Sequence, residues 1–561
     1  MDHQKLLSTF HPFQKQIYNE CKHRTNGGLA LPMGSGKTRI ALALALSSNK
    51  PSLIVCTKSE MTVWHDEINT LLPNTKFEIL HSSMIKKIDQ WKPDPDTKLV
   101  VTNVNTLTKY FDQYDLLSKI TEYHKLFDFM KPIQYWSPAK SPLMKLEDVS
   151  GPGHLYAQQW GYLIIDEAQT YTNIKTKGCR SLLALAADRH WLLSGTMFNE
   201  PTTQRMLGYW CLLRQPFTPR SMPDATSFIK GSCIRYNLRG DLILDRRRRA
   251  KFKGLKPTMV YRETNPHYKP PKIISEVVTN QLTSIEAKVY THFRKFFVKV
   301  YQTMKNLLKQ DRKAEAKLMR GNLLAIITYL RLTLVAPILA LDALAKNTIS
   351  DKITNEELVN LLQRMKDLVI EQSEQQALEA KPSSRLQKIL TQIKKYPQRR
   401  LVIFFGFRKS LNRLNKYIQD RKVFVMQANS MIERQKVLTD FKASENGILL
   451  LTYSIGANGL NLQASSVVFI MEYWWNKGRT QQALARVNRM GQTAKEIYLI
   501  YFTSGTAIEE ALLEKSNDKE KVYQELLIGN QKSKVKKMDL ERIYQLIETE
   551  INVNLIEKLY L

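Results

Sequence analysis

Leu29-Ala-Leu-Pro-Met-Gly-Ser-Gly-Lys-Thr38 is a glycine-containing turn set before an apolar, helix-forming segment, Arg39 to Ser47. Small residues let successive backbone N–H groups converge on phosphate oxygens, a lysine meets the β and γ charges, and a hydroxyl can hold magnesium. Gly34, Gly36, Lys37 and Thr38 supply those parts, with Met33 and Ser35 in the same ATP-binding stretch, so it reads as a phosphate-binding loop. Leu31 stands five places before Gly36, where the strict spacing wants another glycine, and a turn that binds nothing stays open on this stretch alone.

Outward from that turn, short apolar runs recur, each followed by a turn signal and a longer mixed segment: Leu53 to Cys56, Leu99 to Val101, Tyr162 to Ile165 and Trp191 to Leu193. Such runs suit strands covered on both faces, as in a parallel sheet. A second series comprises Leu401 to Phe405, Phe424 to Met426, Ile448 to Leu451, Val467 to Ile470 and Ile497 to Phe502. The expected fold is therefore α/β with two parallel-sheet lobes, helical insertions and a helical C-terminal tail. The division reads as 1–270 for the first lobe, with an insertion at about 107–158, 271–382 for a helical region rich in Leu, Lys, Glu, Gln and Ala, 383–515 for the second lobe, and 516–561 for the extension.

Tyr162-Leu-Ile-Ile-Asp-Glu-Ala-Gln169 puts two carboxylates at the end of an apolar strand. Asp166 there can hold magnesium through water and Glu167 can polarise an attacking water, although paired acids also suit a helix N-terminus. In Gln481-Gln-Ala-Leu-Ala-Arg-Val-Asn-Arg-Met-Gly-Gln492, Arg486 and Arg489 are three apart, which on a helix puts both on one face toward a single anionic target. A solvated basic face is the alternative.

The 561 residues carry 84 Lys and Arg against 52 Asp and Glu, a formal charge of +32, while 43% hydrophobic content is that of a packed chain. The excess collects at Arg246 to Lys256, Lys305 to Arg320 and Lys532 to Lys537. Each run is either a solvated face or a track for phosphates, and the first and last also suit a nuclear-import address. Five scattered cysteines, without close pairs, point away from a disulfide framework and a zinc site and toward a reducing compartment. Leu323 to Leu341 is the best membrane candidate, but Arg331 and Pro337 interrupt it, so it reads as buried helix.

Taken together, these segments resemble the Swi/Snf-type ATPases of helicase superfamily two, from about Phe10 to Lys515. The resemblance implies two RecA-like lobes. Phe10-His-Pro-Phe-Gln14 is similar to the family's adenine-reading segment, which implies a base contact for Gln14. Leu53 to Ser59, with Lys58, and then Trp64 resemble a strand and turn that face nucleic acid, and Leu99 to Asn103, with Thr102 and Asn103, resembles the motif after it. Ser194-Gly195-Thr196 resembles the motif that couples nucleotide state to the DNA-facing side. Leu451 to Leu462, with Gly456, Gly459 and Asn461, is similar to the Gly-rich fifth motif, and Gly459 is assigned to the ATP site. Trp475-Asn476, then Gln482, Arg486, Arg489 and Gly491-Gln492, form the most family-specific order. Leu330-Arg331 and Pro337 fall where the family has a helical Leu-Arg to Pro segment. Met197, Asn199-Glu200, Gln427, Thr480 and Asn488 depart from the pattern without removing a phosphate or magnesium group.

The resemblance implies ATP and Mg2+ as cofactors, with Thr38 and Asp166 at the metal, Lys37, Glu167, Arg486 and Arg489 as catalytic groups, and double-stranded DNA as a partner held by its phosphates without sequence reading. A transcription or chromatin complex is a further partner in view, and no membrane partner is expected. The leading expectation is a duplex-DNA translocase. A strand-separating DNA or RNA helicase comes next, and a non-hydrolysing nucleic-acid-binding protein last. An intracellular site is expected: the nucleus, or a cytoplasmic virus factory or virion for a viral chain.

Overall fold

The strands of the first 270 residues are β1 (Asn26–Ala30), β2 (Ser52–Cys56), β3 (Phe77–Leu80), β4 (Leu99–Asn103), β5 (Thr121–His124), β6 (Ile133–Trp136), β7 (Gln159–Ile165), β8 (Ala186–Ser194), β9 (Ile234–Tyr236), β10 (Asp241–Leu244) and β11 (Met259–Tyr261), and the apolar runs of β2, β4, β7 and β8, which cannot be left in water, set the centre of their sheet. The structure is a computed structural model. It describes residues 2–549 except 33, 59, 82–87, 125–132, 137, 196, 198–202, 216–233, 237–240, 245–258, 262–269, 347–355, 365–369, 428–430, 457–459, 473–476, 490–491, 514–534 and 537–539.

Seven of these strands form one sheet in the order β11-β1-β8-β7-β2-β4-β3, and its pairings are parallel. Parallel neighbours need crossovers, which here carry the helices Lys37–Leu46, Met61–Leu71, Val104–Gln113 and Lys177–Leu183. Every residue of β2 and β4 is buried, the apolar runs Leu53 to Cys56 and Leu99 to Val101 together with the polar Ser52, Thr102 and Asn103 at their ends. Because the strands run the same way, the segments that follow β1, β2, β4, β7 and β8 all emerge at one edge of the sheet. The expected insertion contains the β5–β6 hairpin and a buried turn, Gly151–Tyr156, whose Tyr156 hydroxyl donates to Leu107 O at 3.0 Å.

The second unit begins at Pro271. Its strands are β12 (Lys272–Thr279), β13 (Leu401–Phe405), β14 (Val423–Met426), β15 (Ile448–Thr452), β16 (Val467–Ile470) and β17 (Glu496–Thr503), in the parallel order β12-β17-β16-β13-β15-β14. β12 is an edge strand that the apolar-run pattern does not reveal, because its exposure alternates along the chain. A capping box, Thr283 with Glu286, starts the helix Ser284–Lys309, and Ala336 turns extended before Pro337 opens the helix Pro337–Ala345.

The region expected as a separate helical segment shares its core with the second sheet: Phe293, Phe297, Leu330 and Leu386 lie in one cluster with Leu401, Ile403 and Phe405. The helix Lys313–Val335 is long and apolar enough to cross a membrane by length and composition, and it buries Leu323, Ile326, Ile327 and Leu330 in this cluster. The C-terminal extension does not stand alone. Its short strand β18 (Val535–Lys536) pairs antiparallel with β10 in the first unit, and its helix Leu540–Thr549 belongs to the second, with Tyr544 stacked on Tyr301 at 4.4 Å between ring centroids.

Candidate nucleotide site

The phosphate loop follows β1. Gly34 and Gly36 take φ of 79° and 76°, which a side chain would strain, and Gly36 hands the chain directly into the helix at Lys37. An N-terminal helix end preceded by such a turn presents its backbone N–H groups outward. Lys37 Nζ donates to Leu31 O and Pro32 O, both at 3.1 Å, so the ammonium lies folded over the loop it serves. Ser35 Oγ is buried with no partner among the described residues, an orphan hydroxyl of the kind a polar ligand satisfies. Thr38 is half-buried on the first helical turn, and Met33 lies outside the described residues.

Gln14, expected to touch a base, is 3% exposed and reaches the same loop. Its Oε1 accepts from His11 N at 3.1 Å and its Nε2 donates to Ser35 O at 3.3 Å, so it braces the loop by its backbone. A Cβ on Gly36 would come within 2.1 Å of that Nε2, which gives a second reason for glycine there.

Asp166 and Glu167 follow β7 at the same sheet edge. Burial, and then the neighbouring Glu167 charge, push the Asp166 carboxyl up to about 6, while a backbone N–H, Lys37 and the Trp64 indole pull it down. Glu167 itself has φ 45° and is the residue from which the turn Ala168–Thr170 starts. Its Oε2 accepts from Gln169 Nε2, and Gln169 O accepts from Arg205 Nη1 at 2.6 Å. Arg205 carries no pattern that marks it in advance, since its contact with Gln169 crosses 36 residues. Two adjacent carboxylates, with Lys37 near enough to pull the Asp166 pKa down, offer oxygen donors that suit a hard divalent cation.

Of the residues expected at nucleic acid or in coupling, Trp64, Thr102 and Asn103 turn inward. Trp64 is 1% exposed and does not face outward: its Nε1 donates to Asp166 Oδ2 at 3.0 Å. Thr102 is fully buried, its hydroxyl donating to Leu80 O at 3.1 Å, and Asn103 spends its Oδ1 on Thr106 N as the cap of the helix Val104–Gln113. Lys58 is exposed after β2. Ser194 is buried at the end of β8, Gly195 is half-buried, and Thr196 lies outside the described residues.

In the second unit Gly456 is a packing residue, because a Cβ there would lie 2.3 Å from Phe404 Cε1. Asn461 is half-buried and makes a local turn, accepting from Gln463 N at 3.4 Å. The helix Lys477–Val487 carries Arg486, but Arg489 lies beyond its end, so the two are not spaced on one helical face. Leu462 N donates to Arg486 O at 3.0 Å, and Gln492 Nε2 bonds Ser465 O and Val487 O, so this segment is clamped to the one after β15. Gln482 lies in the helix, while Gly459, Trp475, Asn476 and Gly491 lie outside the described residues. Of the basic runs, Arg246 to Lys256 falls wholly outside them. Lys305, Lys309, Lys313, Lys317 and Arg320 are exposed at the junction of two helices.

The SNF2-related domain model matches residues 16–338, and the helicase conserved C-terminal domain model matches 383–491. A protein of Invertebrate iridescent virus 6 described as a helicase is 22% identical over 560 residues, 91% of this chain and 86% of its own length. A RAD54-like DNA repair and recombination protein of Drosophila grimshawi is 25% identical over 70% of this chain, which spans 49% of it. The SWI2/SNF2 ATPase core of Sulfolobus solfataricus, solved in complex with dsDNA, shares 18% identity at a TM-score of 0.35, covering 97% of this chain and 96% of that one.

Proposed function

This chain belongs to the SNF2-related family of helicase-like, nucleic-acid-dependent ATPases, and from that premise we propose that it is a translocase that spends ATP to move along duplex DNA. The observation that carries the reading is the convergence, at one edge of the first sheet, of a glycine turn with Lys37 and the adjacent carboxylates Asp166 and Glu167.

Gly34 to Lys37 would hold the phosphates, Gln14 would keep their loop in shape, and Glu167 would take a proton from the attacking water. Mg2+ fits Thr38 and Asp166 and would supply charge neutralisation at the β and γ oxygens. Arg486 and Arg489 would complete the site in the hydrolysing state, where a guanidinium opposes the charge that develops on the transferred group. The +32 charge supports a phosphate-backbone partner read without sequence, with Lys305 to Arg320 as one contact run. The RAD54-like relatives, described as DNA repair and recombination proteins, support a DNA-repair setting.

ATPase rates measured without polymer, with duplex DNA, with single-stranded DNA and with RNA test the reading. Duplex DNA should stimulate most, and stimulation by single-stranded RNA above that by duplex overturns it in favour of a strand-separating helicase.

A further inference from the structure

We infer that Trp64 is a positioning residue for the divalent cation: its indole N–H holds the Asp166 carboxylate in the orientation that binds metal. The inference rests on the ATP-site reading above.

Both carboxylate oxygens have a fixed donor. Oδ2 accepts from Trp64 Nε1 at 3.0 Å and Oδ1 accepts from Glu167 N at 2.8 Å, so the side chain cannot swing without breaking a bond. The Asp166 backbone is held from the same side, since its N donates to Val55 O at 2.8 Å. β2 and the helix that follows it, Met61–Leu71, therefore hold a residue 102 positions further on in the chain.

A buried indole needs an acceptor, and that need alone would account for any partner. This fold does not always meet it: Trp191 Nε1 is buried with none among the described residues, and Trp160 Nε1 uses a backbone carbonyl, Leu155 O. Trp64 instead meets an ionisable oxygen at the nucleotide site. A donor aimed at one oxygen of a metal-binding carboxylate leaves its other lone pairs pointing where the ion or its water must sit.

Mn2+ binding to the full chain with a non-hydrolysable ATP analogue, followed by electron paramagnetic resonance, tests this. Trp64→Phe should weaken Mn2+ binding by about 10-fold, with metal-free affinity for the analogue and nucleotide-free duplex affinity unchanged. Ile68→Ala, which loosens the same buried helix face without touching Asp166, should keep the metal affinity. In the wild-type chain, the Trp64 indole 15N–1H resonance should move when Mg2+ joins the analogue, and this readout stands even where Trp64→Phe does not fold. Equal Mn2+ affinity in Trp64→Phe, equal loss in Ile68→Ala, or a motionless indole resonance each overturns the inference. A wild-type chain that binds no Mn2+ with the analogue overturns the ATP-site reading itself.

Discussion

Arg385 and Glu509 meet at 2.6 Å inside the second unit, with side chains only 1% and 5% exposed. Arg385 also donates to Ser504 Oγ at 2.7 Å, Asn280 Oδ1 at 3.3 Å and Met471 O at 3.4 Å. One guanidinium thereby ties the end of β12, the end of β16 and the segment after β17. Removing one partner strands the other charge in the core. Glu509→Leu alone should cost about 3–5 kcal/mol in the unfolding transition of this unit, and Arg385→Met with Glu509→Leu should recover most of it. Denaturant titration checks this, and a loss below about 1 kcal/mol for the single change would show that the pair is not held as described.

Glu167→Gln should bind ATP normally and stop turning over, whereas Lys37→Ala should lose both. The first removes only a proton acceptor, and the second removes a charge that meets phosphate in the ground state. Equilibrium nucleotide binding beside steady-state ATPase separates the two, and normal turnover by Glu167→Gln would remove that carboxylate from the chemistry.

Arg489→Ala should lower the duplex-stimulated rate by roughly 10³ to 10⁵ with little change in nucleotide affinity. Arg489→Lys should not rescue it, because a point charge does not reproduce the guanidinium fork. If duplex affinity falls in step with the ATPase, Arg489 belongs to the DNA track.

Gly36→Ala faces two penalties, a backbone at φ 76° and a clash with Gln14 Nε2. The left-handed conformation alone costs roughly 1–2 kcal/mol for a residue with a Cβ. Adding Gln14→Ala should therefore restore ATP binding only in part. Full restoration would mean that the clash alone excludes alanine.

His190 is buried, its Nε2 accepts from Arg214 Nε at 3.1 Å, and burial first, then Arg214, push its pKa down to about 3 from 6.5. Between those values the unfolded chain binds the extra proton, so stability falls as pH drops from about 6.5 toward 3. The slope is up to about 1.4 kcal/mol per pH unit. His190→Gln should flatten that acid limb in pH-resolved denaturation curves. An unchanged limb would mean that His190 is not held neutral.

The phosphate loop, the Asp166–Glu167 pair and most central strands of both sheets are legible in the residues alone. The strands β13 and β16 fall on the apolar runs Leu401 to Phe405 and Val467 to Ile470 without displacement. Those features are written in short-range spacing: a glycine where φ must be positive, an unbroken apolar run where both faces are covered, a charged residue where a strand ends. The edge strand β12 escaped because alternation at a half-exposed edge looks like ordinary polar chain.

Short-range spacing does not determine which atom a side chain meets. Trp64 reads as a surface aromatic, and its partner, Asp166, is set by β2 pairing with β7 across the sheet. Thr102 and Asn103 read as members of a nucleic-acid or coupling motif, and only the structure shows Thr102 bonded to β3 and Asn103 capping the helix Val104–Gln113. Gly456 reads as one glycine of a Gly-rich motif until Phe404 is found packed against it. The sequence by itself determined the phosphate-loop turn, most central strands and the resemblance to the ATPase family. The tertiary structure alone decided which polar groups turn inward, because sheet order joins residues far apart in the chain and a buried donor must take whatever acceptor that order delivers.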